Sequence, residues 1–88
     1  MLITERRKIG REDWREFKME IKSPSVGKVL RLSIEVGAQV ARGTEVMVIE
    51  SMKVEIPIKA TAPGRLKEFR VKEGDQIQRN AVLAIVET

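Results

Sequence analysis

The 88-residue sequence predicts an all-β domain: a flattened barrel or sandwich of two antiparallel sheets related by a pseudo-twofold axis. Three observations lead there. The chain repeats itself. Its apolar residues fall in short runs, several alternating with polar residues at period two. Turn residues separate those runs at the spacing of about 8–12 residues that marks small sandwiches and barrels.

The repeat comes first, because it sets the architecture. Shifted by 37 positions, segment 17–51 lies over segment 54–88 without a gap. Ile21/Ile58, Lys22/Lys59, Gly27/Gly64, Gly37/Gly74, Gln39/Gln76, Arg42/Arg79 and Glu50/Glu87 are identical pairs. Met19/Ile56, Val29/Leu66, Ile34/Val71, Val40/Ile77 and Val46/Leu83 keep the apolar pattern in phase. Each half alone has too few strands to be stable, so the halves must interlock.

In chain order, Phe17, Met19 and Ile21 alternate with polar residues and read as the first strand. Ser23-Pro24 and Val26-Gly27 then turn the chain. Val29, Leu32 and Ile34 form the second run, and Gly37 the next turn. Val46-Met47-Val48-Ile49 is continuously apolar, as in a strand covered on both faces. The second half repeats the series. Val54, Ile56 and Ile58 alternate, Pro63-Gly64 turns, and Leu66, Phe69 and Val71 follow. After Gly74 and Asn80, residues 81–86 form the last covered strand. Pro57 cannot donate a ladder hydrogen bond, so its strand belongs at an edge or at a bulge.

Residues 1–16 stand outside the repeat, as an N-terminal arm before a domain at 17–88. Trp14 in that arm either packs over one end of the barrel or is offered to a partner. A short helix over 11–18 competes with strand at Phe17, and the strand is preferred.

Composition removes most chemistry. There is no Cys, His or Tyr, so thiol catalysis, disulfides, Cys/His zinc sites and imidazole acid–base chemistry are excluded. No catalytic residue and no metal site is expected in so small a domain. The formal charge is +4, but the basic residues are scattered. Only Trp14, Phe17 and Phe69 are aromatic, too few to stack bases along a basic groove, so no nucleic-acid role is expected. No apolar run approaches the roughly 20 residues of a membrane span, and a cytoplasmic location is the default.

Met52 and Lys53 are left over between the two halves. Their flanks are strand residues, so Glu50-Ser51-Met52-Lys53 must turn as a tight hairpin. It contains no Gly, Asn or Asp, the usual hairpin residues. The symmetry places this hairpin at the opposite end of the domain from the termini. An exposed lysine on a turn is ordinarily only a solvated charge, and composition and spacing alone favour that.

The stretch ESMKVEIPIKATAPG resembles the attachment site of the biotinyl/lipoyl carrier domains. Members of that family bear a modified lysine on a hairpin between two quasi-symmetric halves. Glu50, Ser51, Met52 and Lys53 match the biotinyl pattern of Glu, small residue, Met and Lys. Val54 stands where Met is usual. Pro24-Ser25-Val26-Gly27 and Ala62-Pro63-Gly64 match the family's turns. So do the two runs of apolar residue, Gly and apolar residue around Gly37 and Gly74. The ungapped repeat leaves no room for a protruding thumb, so the likeness is to thumbless biotin carboxyl carrier proteins.

The resemblance implies the hammerhead fold and a swinging-arm carrier. Lys53 would receive biotin through an amide, with Met52, Val54, Glu50 and Ser51 read by a biotin protein ligase. Gly27, Gly37, Gly64 and Gly74 would be structural turn residues. The arm would pass a carboxyl group between a biotin carboxylase and a carboxyltransferase of an acyl-CoA or related carboxylase. The alternatives are a lipoyl carrier, with lipoate on Lys53 in a 2-oxo-acid dehydrogenase or glycine-cleavage type system, and an unmodified adaptor of the same fold.

Overall fold

A computed structural model describes residues 18–88. The expected arm at 1–16, with Trp14, and the expected strand residue Phe17 lie outside the described residues. Eight strands follow: β1 (Lys18–Lys22), β2 (Gly27–Leu32), β3 (Gln39–Val40), β4 (Glu45–Ser51), β5 (Val54–Lys59), β6 (Gly64–Phe69), β7 (Gln76–Ile77) and β8 (Val82–Glu87). They form two four-stranded sheets in the orders β1-β8-β6-β3 and β5-β4-β2-β7, with antiparallel pairing throughout. The architecture is a sandwich of open sheets rather than a closed barrel. Exchanging the two repeats turns one strand order into the other, which is the pseudo-twofold axis seen in the sequence.

The symmetry extends to single hydrogen bonds. The Gly74 amide donates to the Val29 carbonyl and the Gly37 amide to the Leu66 carbonyl, each at 2.8 Å. The Asn80 amide donates to Ser23 at 2.8 Å, as the Gly43 amide does to Ala60. These bonds cross between repeats, so neither half closes its backbone without the other.

Strand positions follow from chemistry. β5 is a sheet edge, where the missing N–H of Pro57 costs the ladder nothing. β4 and β8 sit inside their sheets and form the centre of the core. Val46, Met47, Ile49, Leu83, Ala84 and Val86 have no exposed surface. Val48 and its repeat mate Ile85 are also buried, yet lie outside the main apolar cluster. Ile85 lies at the floor of a surface hollow lined by the long side chains of Lys18, Glu20, Lys67 and Glu68.

The second and sixth strands stop short of the expected runs. Ile34 and Val71 lie just beyond β2 and β6, in the turns that lead to Gly37 and Gly74, and pack on the core from there. Gly37 and Gly74 take positive φ in those turns. Gly27 and Gly64 instead open strands β2 and β6 rather than sitting in the turns before them. Their requirement is space. A Cβ on Gly27 would collide with the Glu50 carbonyl oxygen, and one on Gly64 with that of Glu87. Among the described residues no helix is long and apolar enough to cross a membrane.

Candidate functional site

Antiparallel pairing of β4 and β5 runs up to Ser51↔Val54, leaving Met52 and Lys53 as a two-residue turn. Both have positive φ, 54° and 66°. That is the geometry of a type I′ turn, whose twist matches the paired strands. It is usually built from Asn and Gly, because other L-residues pay roughly 1–2 kcal/mol in the left-handed region. The tight hairpin expected from the sequence is therefore present, made from residues that turn chemistry would not select.

The root beneath the tip is rigid. Ser51 is buried, and its hydroxyl lies 2.9 Å from the Ser25 hydroxyl. The close approach at Gly27 presses the start of β2 against the Glu50 carbonyl. Ser23 is fully buried and donates to the Ser25 carbonyl at 2.6 Å. The loop between β1 and β2 is thus tied to the base of the hairpin. Ser51 was expected among the residues that a ligase reads. In the structure its hydroxyl faces Ser25 at the base of the hairpin.

Above that root the residues are open. Met52 is 91% exposed and Val54 59%. Lys53 is exposed and makes no ion pair among the described residues. Glu50 and Glu55 face each other directly across β4 and β5 just below the tip. Like charges so placed repel. The Arg31 guanidinium, 3.8 Å from Glu55, offsets part of that repulsion. A primary amine projects from a fixed backbone root, beside exposed apolar side chains and above two carboxylates, and is exposed among the described residues. Such an amine is open to acylation by an activated carboxyl group.

The opposite pole differs. Lys18 pairs with Glu87 there, and the chain leaves at Thr88. A hydrogen bond from Lys67 pushes the Lys18 amine below the ordinary lysine range, helped by desolvation and like-charge repulsion. This perturbed lysine belongs to the pole without the hairpin.

The family model described as "Biotin-requiring enzyme" matches residues 19–87. The chain belongs to the biotinyl/lipoyl carrier family. Among relatives of this carrier domain, a biotin/lipoyl attachment protein of Bacillus subtilis is 38% identical over 65 residues, covering 74% of this chain and 89% of that one. A protein of Mycobacterium leprae named as a homolog of biotinylated protein TB7.3 is 31% identical over 67 residues, covering 76% and 94%. Among solved structures, the urea carboxylase of Kluyveromyces lactis superposes with a TM-score of 0.76 at 28% identity. The match covers 78% of this chain but 6% of that enzyme, one small part of a large protein. The family is one of biotin/lipoyl carrier domains, non-catalytic in themselves. Sequence reasoning found the hairpin but missed Val26, an exposed residue of the β1–β2 loop that lines the same hollow as Met52. Nothing in its own sequence neighbourhood signals that proximity.

Proposed function

We propose that Lys53 is the biotin attachment residue, and that the domain carries a carboxyl group between the biotin carboxylase and carboxyltransferase sites of a biotin-dependent carboxylase. The observation that supports this most is the lysine held at the tip of a two-residue left-handed turn, exposed and without an ion pair among the described residues. Biotin, when bound, supplies a ureido nitrogen that accepts and releases a carboxyl group. The chain's own residues do the positioning. Met52 and Val54 frame the amine for the ligase, and Glu50 adds a charge to that frame. Ser25, Ser51 and Gly27 fix the root, so that the lysine stem moves about a defined pivot. Tethering makes each encounter a local event at high effective concentration. Amide formation removes the lysine charge.

The test is the intact mass of the chain after incubation with biotin ligase, biotin and ATP. One biotinyl increment is expected, absent from Lys53→Ala. An unchanged mass, or an increment retained by Lys53→Ala, overturns the assignment. An increment with lipoate and a lipoate ligase, and none with biotin, would transfer the site to lipoyl chemistry.

A further inference from the structure

Four large apolar side chains stand exposed among the described residues: Val26, Val36, Met52 and Val54. Three of them lie at the lysine pole. Val54 follows the turn directly. Val26 comes from a separate segment, 26 residues before Met52, and the two line one shallow hollow with Pro24, Glu50 and Arg79. Val36 is at the other pole, because the turn holding it bonds to Leu66 through Gly37 and Ala38.

Val26 is 56% exposed at the bend before β2, with Ser23 and Ser25 holding that bend from below. A polar residue would serve the bend as well or better. Burial therefore gives no reason for valine, whereas a partner would. Lys28 and Arg79 also line the hollow and form no ion pair among the described residues. With Glu50 also in the lining, the hollow presents both signs of charge around an apolar centre, and the occupant is an apolar surface with a polar edge.

Resting on the attachment reading above, we infer that Val26 and Met52 together form the contact surface for the biotin protein ligase, making Val26 a specificity-determining residue outside the hairpin. Reach decides for the ligase over the later partners. The unmodified lysine stem extends only about 6 Å from its Cα. A ligase must bring its active site within that distance of the turn, and so covers the hollow. Once biotin is attached, the reacting nitrogen lies a further stem length and more away, and carboxylase or transferase can act without pressing on the domain at this point.

The test is steady-state biotin transfer to the full chain by a biotin ligase, with carrier concentration varied. Val26→Asp is expected to raise KM about tenfold with kcat little changed, the factor carried by 1.4 kcal/mol of contact. Val26→Leu stays within about twofold of wild type, since it keeps the apolar contact. Val36→Asp, of equal chemistry and 61% exposure at the far pole, keeps the wild-type KM. Thermal melts of all three guard against misfolding. A wild-type KM for Val26→Asp overturns the inference, as does an equal rise for Val36→Asp or a fall in kcat alone. If wild type itself takes no biotin, the attachment reading fails. If wild type is modified at Lys53 and Val26→Asp is indistinguishable from it, only this inference fails.

Discussion

Replacing Met52 by Asn should make the domain more stable and a worse substrate. Met52 sits at φ 54° with 91% of its surface exposed. The left-handed conformation costs an ordinary L-residue roughly 1–2 kcal/mol, and Asn tolerates it far better. Almost no packing is lost, because the side chain touches little. The net gain is about 0.5–1 kcal/mol, in the range of substitutions that fit the native φ. For a domain of 60–100 residues each kcal/mol moves Tm by about 4–8 °C, so a rise of about 2–8 °C is expected. Thermal unfolding by circular dichroism reads that rise directly. Transfer of biotin to Lys53 should fall in the same variant, because the apolar frame beside the amine is gone. A Tm that stays put or drops would refute the strain argument. A raised Tm with undiminished transfer would refute the view that Met52 is kept for recognition.

Gly27→Ala forces a Cβ into the Glu50 carbonyl and should cost about 1–3 kcal/mol, slowing modification as the hairpin root shifts. Gly64→Ala meets the Glu87 carbonyl at the other pole, so a similar drop in Tm should leave biotin transfer near normal below the melt. Met47→Ala empties the centre of β4 and should lose about 2–5 kcal/mol in urea titrations. Under mild peroxide, peptide mapping should find Met52 oxidised well before Met47, which has no exposed surface. Equal rates would mean that the core opens far more often than its packing suggests.

Much of this molecule was readable in the residues because the chain is nearly a tandem duplicate. The continuous runs at 46–49 and 81–86 announced the central strands, whereas Gly27 and Gly64 read as turn residues and instead open β2 and β6. Lys53 stood out as the part of the chain that the repeat does not use. The turn's handedness was not legible, since nothing in Met-Lys asks for positive φ; the demand comes from the twist of β4 and β5. The inward Ser51 was also hidden, because its partner Ser25 is distant in sequence. Ile34 and Val71 read as strand because they are β-branched, yet the chain turns there to reach the neighbouring sheet. Val26 looks like one more turn residue until the fold sets it beside Met52.

The near-equivalence of the two repeats has a topological consequence. Backbone and core scarcely distinguish one pole from the other: joining position 88 to position 17 through two residues and opening the chain at 52–53 would, in outline, reproduce the same pair of sheets. Polarity rests on a few local differences, namely the closed Met52-Lys53 link, the Ser25–Ser51 contact where the other repeat has Ala62 and Thr88, and Val26 where it has Pro63. On the attachment reading proposed above, the fold itself does not choose the pole, and the choice is written in a handful of side chains.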